Sequence, residues 1–480
     1  MNVEGLRSPT AFLRDAVRDS AHHDALCEYE SWWESEGRSI SAATDRARTP
    51  WLRMFNQHGQ RVDEILYAPE YWRMLKRGYR SGVLWRAFQD QSLIPAYLFI
   101  YTTGFYDPGL ACPYTVSLST AAPLAKYASD PVKDRFLPRL LRRDDEVWQG
   151  ATWMTEIKGG SDLGTAVETT ARKDGSRWLL TGDKYFASNA GAELAVVAAR
   201  PEGAARDVRG LALFVVPRIS ENGQLNYTIR RLKDKIATRS VPTGEIELRD
   251  SEGWILGTPD RGIYLILEVL NISRVANSIG SVALAQRAMS DVLSYAQHRV
   301  AFGRPIIEHP LFSQQFQKRL HDLHGACALA WYAVRLLDSV WQERAPYSER
   351  YHLFRLVAHL AKYWTAEFAV QTAKWSMEAF GGLGVLEEFG VERWLREAMI
   401  LAIWEGTSHR QILDGLEVME RKQAHVLLLK ELAGRAPSVV LTEMESRLEE
   451  HLALGNDEKQ GTADAIFLEL ANLTANSLLN

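Results

Sequence analysis

The amino-acid sequence predicts an α+β protein of several domains, in which a β-rich segment separates two helical ones. Residues 1–150 have the pattern of short helices, residues 151–258 that of strands joined by turns, and residues 259–425 that of long helices. A last segment, residues 426–480, begins as a helix and becomes polar near Gly455. A chain of 480 residues exceeds what one ordinary hydrophobic core can serve, so a division into domains is expected.

The N-terminal segment carries helix signals. Four apolar residues share one helix face by their i, i+3, i+4, i+7 spacing: Leu93, Ala96, Tyr97 and Ile100. Asp130 followed by Pro131 predicts a helix start, because aspartate caps a helix and proline fits its first turn. Proline and glycine elsewhere in the segment break it into several short helices.

The β-rich segment consists of short runs of β-forming residues with turn clusters between them. The predicted strands are 178–181, 194–197, 211–216, 227–229 and 245–248. Their spacing fits a compact β-barrel or sandwich.

The C-terminal region has the pattern of long helices. Gly262–Arg299 is nearly free of helix breakers, and Val334–Phe380 contains only Pro346. Long amphipathic helices of this kind usually form a bundle and often leave a face for another subunit.

The composition excludes some classes of function. The net charge of −4 gives no overall field that would attract nucleic acid or an anionic membrane. The three cysteines lie far apart in the sequence and match no zinc or redox spacing. Residues 1–29 lack the apolar core of a signal peptide, and no apolar run is long enough to span a bilayer. We therefore expect a cytoplasmic protein without a membrane partner and without a bound metal.

Two segments of the β-rich region could contact a phosphate or a flat ring. Thr155–Asp162 places a glycine pair beside hydroxyl residues, which lets backbone N–H groups approach an anion, although such a segment is more often a plain loop. Phe186 and Ser188 lie two residues apart, so both point to one side of a strand. An aromatic ring there can lie against a flat ligand, whereas the alternative is an ordinary half-buried strand.

Three further segments lie in the C-terminal helical region. Arg299, near the end of a long helix, is either a partner of the helix dipole or a clamp on a pyrophosphate. Gly381–Gly384 can be a simple helix stop. Glu405 follows an apolar run, and burial there would raise its pKa towards that of a useful base. The alternative is a surface glutamate at a helix end.

In this order, the segments resemble the acyl-CoA dehydrogenase family, from about residue 80 to 420. Five family motifs have counterparts in this chain: Thr155–Asp162, Phe186–Asn189, Arg299–Gly303, Gly381–Gly384 and Trp404–Thr407. Within the family the chain is most similar to the AidB-type branch, through Met154–Asp162 and Arg231–Ser240. The resemblance implies an N-terminal helical domain, a central β-barrel and a C-terminal four-helix bundle, assembled as a homotetramer.

The resemblance also implies a role for each matched residue. The residues expected to bind FAD within the chain are Met154, Thr155, Gly160, Ser161, Phe186, Ser188 and, near the adenine, Thr407. Those expected to reach the FAD of a neighbouring subunit are Arg299, Phe302, Gly381 and Gly382. Glu405 would be the catalytic base, with Arg274 supporting the acyl site.

The sequence departs from the family pattern at three positions. Many relatives carry glutamine where this chain has Glu378 and His409, which leaves FAD binding there open. Some relatives place the base just before the long-helix arginine, but this chain has Ser273 there, which cannot serve as a base. Glu405 is then the one matched base.

The implied activity is oxidation of an acyl-CoA, or a related acyl thioester, to the trans-2-enoyl product, with electrons passed to an electron-transfer flavoprotein. Two alternatives remain. One is a DNA-associated flavoprotein of the alkylation response, as in the AidB branch. The other is a flavin oxidase or N-oxygenase on the same fold, which oxygen consumption with substrate would identify.

The charge of the C-terminal segment predicts weak, nonspecific DNA binding at most. Residues 421–480 contain nine acidic and six basic side chains, so this tail offers no net attraction to phosphates. In a titration of labelled duplex DNA at physiological salt, we expect no tight complex. Tight binding with a steep salt dependence would contradict the prediction.

Overall fold

The computed structural model describes residues 3–14 and 21–479. Residues 15–20 belong to the N-terminal stretch whose composition argues against a signal peptide, and they lie outside the described residues. The chain divides into two compact units. We name them the sheet unit, made of Asp24–Thr103 and Asp107–Ser273, and the helical unit, made of Met1–His23, Gly104–Tyr106 and Arg274–Asn480.

The described elements follow the predicted order of helices, strands and helices. The α-helices are α1 (Pro9–Phe12), α2 (His23–Trp32), α3 (Arg38–Ala47), α4 (Pro69–Ser81), α5 (Trp85–Asp90), α6 (Ile94–Tyr106), α7 (Ala111–Tyr127), α8 (Asp130–Leu140), α9 (Leu163–Ala166), α10 (Gly262–His298), α11 (Pro310–Val340), α12 (Glu349–Phe380), α13 (Val391–Ile403), α14 (Ser408–Lys422), α15 (Ala424–Glu431), α16 (Ser438–Leu452) and α17 (Asn456–Ser477). The strands are β1 (Trp51–Phe55), β2 (Arg61–Leu66), β3 (Gly150–Trp153), β4 (Thr170–Asp174), β5 (Arg177–Ser188), β6 (Leu194–Pro201), β7 (Ala212–Pro217), β8 (Thr228–Leu232), β9 (Thr243–Leu256), β10 (Val300–Ala301) and β11 (Arg304–Pro305).

A seven-stranded sheet forms the centre of the sheet unit. Its strand order is β3-β6-β4-β5-β9-β7, with β8 paired to β9. β3 and β4 run parallel to β6, and the other neighbours are antiparallel. β6 also pairs with β7, the last strand in this order. β6 and β7 are buried almost throughout, which explains why their sequences are continuous apolar runs rather than alternating ones.

All five predicted strands are present, and the structure adds β3 and β4 to them. The sequence analysis missed β4 because its residues, Thr170–Asp174, are mostly polar and exposed. It also missed the hairpin of β1 and β2 within the N-terminal helical region. Those strands are half exposed and carry charged residues, so they lack a clear apolar alternation. Their turn is closed by Asn56, whose side-chain oxygen accepts from the N–H groups of His58 and Gln60.

Long helices form the helical unit, as predicted. The breaker-free segment is α10, which ends at His298, and Pro346 lies in the connection between α11 and α12. α12 packs against α11, α13, α14, α15 and α17. The polar stretch near Gly455 is the start of a further helix, α17. Gly455 lies directly before the first turn of this helix. Within residues 3–14 and 21–479, no helix combines the length and apolar character needed to cross a membrane.

Candidate active site

The turn after α13 holds Glu405 in an unusual backbone conformation. The helix ends at Ile403, and Trp404 is already extended. Glu405 then has a φ of 56° and Gly406 a φ of 99°, so two consecutive residues are left-handed before α14 begins at Ser408. A left-handed conformation costs a residue other than glycine roughly 1–2 kcal/mol, so the surroundings must hold Glu405 in place.

Side chains from three other helices bind the carbonyl groups around this turn. The last carbonyls of a helix lack partners inside it and carry the negative end of the helix dipole. Asn277 Nδ2 donates to Leu401 O at 3.0 Å, and Lys362 Nζ donates to Ala402 O at 3.2 Å. Arg274 Nε donates to Glu405 O at 3.1 Å. Gln411 Nε2 donates to Glu405 O at 3.1 Å and to Gly406 O at 3.0 Å. We call these four donors the carbonyl-binding cluster. Together they fix the backbone that carries the Glu405 carboxylate.

The environment of Glu405 matches that of a general base. Burial raises the pKa of Glu405 to about 7, against the opposing effect of Arg274 and Lys362. A carboxylate with a pKa near neutrality is ionised in a large fraction of molecules and still holds a proton well once it has taken one. Glu405 is half-buried rather than fully exposed, and its role as the base stays a prediction.

Arg274, the arginine predicted to support the acyl site, lies on α10. It is buried, and its Nη2 is 3.0 Å from Asp414 Oδ2. Asp414 also accepts from Arg410 Nε at 2.8 Å, so one carboxylate orients two guanidinium groups. Arg274 thus contacts the backbone of Glu405 through one nitrogen and is held by Asp414 through another.

His359 and Gln411 complete the support of the turn, and neither is predicted from the sequence. His359 Nδ1 lies 2.9 Å from Gln411 Oε1, while the amide nitrogen of Gln411 donates to the turn. Burial lowers the pKa of His359 to about 3, which keeps the ring neutral. A neutral His359 with its proton on Nδ1 donates to Gln411 and so sets the direction of the Gln411 amide.

Lys362 is a buried lysine on α12, also absent from the predicted site. Burial lowers the pKa of Lys362 to about 7, and Arg274 acts in the same direction. The signal in the sequence is a lone lysine among Leu360, Ala361 and Tyr363, one helical turn after His359. A single charged residue in an apolar helical stretch marks a buried ionisable group.

In the sheet unit, the predicted phosphate loop is fixed by a buried ion pair. Glu156 Oε1 lies 2.7 Å from Lys184 Nζ and accepts from the N–H and hydroxyl groups of Thr169, while Oε2 accepts from the N–H of Glu168. The loop requires its glycines. Gly159 has a φ of 124°, and a Cβ on Gly160 would meet Thr155 Oγ1 at 2.5 Å. Met154, at the start of the loop, is buried.

The aromatic ring of Phe186 is presented to solvent rather than packed in the strand. Its side chain is 54% exposed, and Ser188 on the same side is partly exposed. The register of β5 against β9 shifts between Lys184 and Ala187, so Phe186 lies in an irregular part of the strand. Lys233 Nζ lies 3.3 Å from the centroid of the Tyr185 ring and 4.6 Å from that of Phe186, which orders this aromatic pair.

The residues expected to reach a neighbouring subunit lie on the surface of the helical unit. Arg299 is exposed, and Phe302, at the two-residue turn between β10 and β11, is 97% exposed. Gly381 and Gly382 follow α12, and a Cβ on either would meet nothing within 4 Å. Thr407 precedes α14 and makes no side-chain capping bond. An exposed ring and open glycines fit a site completed by a ligand or another chain.

The three departures from the family pattern lie in ordinary surroundings. The Oγ atoms of Ser273 and Ser119 lie 3.0 Å apart, both buried in the sheet unit, so Ser273 is a bonded hydroxyl at the alternative base position. Glu378 pairs with Lys374 on the same helix, and His409 is exposed.

Family models match most of the chain. The model of the acyl-CoA dehydrogenase C-terminal domain matches residues 260–419, and that of the middle domain matches residues 151–251. The model of the adaptive response protein AidB N-terminal domain matches residues 7–146. This chain belongs to the acyl-CoA dehydrogenase family. Its N-terminal region is of the AidB type, as the sequence motifs predict.

Curated relatives and a solved structure agree with this assignment. Acyl-CoA dehydrogenase family member 11 of Caenorhabditis elegans is 31% identical over 393 residues, which cover 78% of this chain but only 63% of the relative. The putative acyl-CoA dehydrogenase AidB of Escherichia coli K12 is 28% identical over 441 residues, covering 86% of this chain and 80% of the relative. The crystal structure of Caenorhabditis elegans ACDH-11 in complex with C11-CoA is 25% identical, with a TM-score of 0.86 over 100% of this chain and 86% of that one.

The predicted fold class of a helical N-terminal region, a central sheet and a helical C-terminal region is therefore confirmed. The roles of individual site residues stay predictions. Within the helical unit, Arg274 and Glu405 are in contact. Within the sheet unit, the loop Thr155–Asp162 and the strand of Phe186 are joined by the bonds of Lys184.

Proposed function

We propose that this protein is an FAD-dependent acyl-CoA dehydrogenase in which Glu405 removes the α-proton of an acyl thioester. The observation that carries the proposal is the Glu405 carboxyl, whose pKa burial raises to about 7 and whose backbone is held by the carbonyl-binding cluster. The relative crystallised with C11-CoA supports an acyl-CoA as the substrate class.

The chain's own residues supply the proton chemistry. The α-proton of a thioester is a weak acid, so its removal requires a carboxylate held at a fixed position. Glu405 in its ionised form accepts that proton on a carboxylate oxygen. Arg274 stays charged beside Asp414 and favours the ionised form of Glu405 before the transfer. The left-handed turn sets the direction in which the side chain leaves the backbone.

The residues present fit a bound FAD. Those proposed to hold it are Met154, Thr155, Gly160, Ser161, Phe186, Ser188 and Thr407, with Arg299, Phe302, Gly381 and Gly382 from a neighbouring subunit. The exposed Phe186 ring suits a flat aromatic ligand, and the glycine loop suits a phosphate. When bound, the flavin supplies the acceptor for the β-hydrogen. A homotetramer, a cytoplasmic location and an electron-transfer flavoprotein as electron acceptor belong to the same proposal.

We expect the purified protein to be yellow and to release FAD on denaturation. Gly160→Ala should weaken FAD binding by about tenfold or more, because its new Cβ would collide with Thr155 Oγ1 at 2.5 Å. Gly461→Ala is a matched control, since its Cβ meets nothing within 4 Å. The measurement is FAD fluorescence during titration of the apoprotein. A colourless protein that binds no added FAD would overturn the proposed function.

The reaction itself is tested by anaerobic mixing of the FAD-loaded protein with acyl-CoA esters of graded chain length. At least one ester should bleach the flavin and yield the trans-2-enoyl-CoA. Rapid oxygen consumption on mixing in air would point to the oxidase alternative instead. Bleaching by no thioester at all would contradict the proposed reaction.

A further inference from the structure

The carbonyl-binding cluster of the helical unit includes a buried cation, Lys362, that takes no proton in the proposed transfer. Lys362 is almost completely inaccessible to solvent, and its Nζ donates to Ala402 O at 3.2 Å. Ala402 lies in the last turn of α13, three residues before Glu405. An ammonium group loses much hydration on burial, and one backbone carbonyl does not replace it. The chain therefore keeps this charge at a cost in stability, at the end of the helix that leads to Glu405.

Helix geometry shows what the charge can act on. The C-terminus of α13 presents the negative end of its dipole, to which a lysine is attracted. In the sequence, Glu405 is the acidic residue nearest to Ala402. Lys362 interacts electrostatically with both Glu405 and Arg274.

We propose that Lys362 is a positioning residue for Glu405: its ammonium group binds the last turn of α13 and supplies, together with Arg274, the positive charge that keeps the Glu405 carboxylate ionised. The inference deepens the proposed function, from which Glu405 takes its role as base. Arg274 binds the turn after Glu405, whereas Lys362 binds the helix before it. Each cation therefore binds a different backbone carbonyl of the segment that carries the base.

The charged and titratable groups around the cluster come from four elements. They are Arg274 on α10, Arg355, His359 and Lys362 on α12, Glu405 itself in the turn, and Arg410 and Asp414 on α14. Asp414 is occupied by Arg274 and Arg410, and His359 is neutral because burial lowers its pKa to about 3. Loss of the Lys362 charge therefore changes the charge near Glu405, while the ion pairs of Asp414 with Arg274 and Arg410 stay intact.

The consequence appears in the titration of Glu405. The Glu405 carboxyl acts to raise the pKa of Lys362, and the Lys362 ammonium group acts to lower that of Glu405, so the two titrations influence each other. Removing the Lys362 charge should raise the pKa of Glu405 by about one unit, since a nearby opposite charge lowers a carboxyl pKa by one to three units. Protonated Glu405 cannot accept a proton. The rate of flavin reduction would then rise with pH at higher values than in the wild type.

Three variants separate the charge of Lys362 from its hydrogen bond. Lys362→Met removes both, Lys362→Gln keeps a donor without the charge, and Lys362→Arg keeps the charge. Lys318→Met is the control, because it removes an exposed lysine of the same unit. The FAD-loaded proteins are titrated by infrared spectroscopy, with the Glu405 carboxyl band identified by its loss in Glu405→Gln. We expect the pKa to rise in the Met and Gln variants and to stay near the wild-type value in the Arg and Lys318 variants.

Two results would overturn the inference. The first is a Glu405 pKa that is unchanged in both Lys362→Met and Lys362→Gln. The second is a pKa that rises in Lys362→Met but keeps its wild-type value in Lys362→Gln, because glutamine carries no charge. If Lys362→Met does not fold, the Gln and Arg variants give the same decision. The infrared titration needs no acyl-CoA. A shifted carboxyl pKa in a protein that no thioester reduces would therefore support this inference and reject the proposed function.

Discussion

Replacing Glu405 with glutamine is expected to slow flavin reduction by a saturating acyl-CoA at least about 100-fold, because loss of a general base typically costs 10²–10⁴ in rate. The amide keeps the size of the side chain but cannot accept the α-proton. Arg274 and Gln411 hold this residue through its backbone carbonyl, so the left-handed turn should persist in the variant. FAD content and acyl-CoA binding are expected to stay unchanged. The measurement is anaerobic stopped-flow absorbance with proteins matched for FAD.

A glutamate elsewhere in the unit provides the control for this substitution. Glu417 lies on α14 and pairs with Arg421 at the surface, so Glu417→Gln removes a carboxylate without touching the turn. We expect its reduction rate to match that of the wild type. Equal rates for Glu405→Gln and the wild type would show that another group is the base. A loss of FAD in Glu405→Gln would show that the residue serves the structure of the helix end.

The sequence was sufficient for the order of helical, β-rich and helical regions, and it singles out Glu405, whose role as the base stays a prediction. The lack of helix breakers predicts α10, and continuous apolar runs predict β6 and β7, because these elements are defined by local patterns. Glu405 stands out through its apolar neighbours and its match to a family motif. Arg274 was found through the family match, and its contact with the Glu405 carbonyl agrees with a supporting role.

Apart from the lone charge of Lys362 in an apolar stretch, the support around Glu405 could not be found in this way. Asn277 and Lys362 lie on helices distant in sequence from Glu405, whereas Gln411 belongs to the helix that follows it. Each donates to a backbone carbonyl. Backbone acceptors leave no mark in the sequence of their own residues. The direction of the Gln411 amide further depends on a neutral His359, which only the burial of that ring determines.

The loop of the sheet unit shows the same limit. Thr155–Asp162 is recognisable as a glycine-rich segment with hydroxyls, but its shape depends on Lys184, which lies in a strand and reads as an ordinary surface lysine. In the structure that lysine is 0% exposed and its partner Glu156 is 5% exposed. Burial acts to raise the pKa of Glu156, but Lys184 and the bonds from Thr169 and Glu168 hold it below the usual value.

Lys184→Met is expected to be the most damaging single substitution for the stability of the sheet unit. It would leave the Glu156 carboxylate buried without its cation, and breaking a buried ion pair typically costs about 3–5 kcal/mol. Lys184 Nζ also donates to Ala198 O at 2.8 Å, so β5 would lose a bond to β6. Since Phe186 follows two residues later, the aromatic face proposed for FAD should loosen together with the phosphate loop, and FAD binding should fall.

Hydrogen exchange measured by mass spectrometry on the FAD-loaded protein locates the effect. Peptides that cover residues 150–169 should lose protection in Lys184→Met, while those of α10–α14 should keep it. Lys158→Met is the matched control, because Lys158 belongs to the same loop but forms an exposed pair with Glu168, and exposed pairs contribute about 0–1 kcal/mol. Its protection pattern should equal that of the wild type.

The double variant Lys184→Met/Glu156→Gln distinguishes an uncompensated charge from a lost contact. Glutamine keeps an oxygen that can accept from Thr169 and Glu168 but carries no charge that needs the lysine. If the buried charge is the cause, the double variant should recover part of the protection that Lys184→Met loses, since removing both partners of a buried pair costs less than removing one. No recovery would assign the loss to the bonds of Lys184 with Ala198 and Met154. Normal protection in the single variant would show that the pair does not hold the loop.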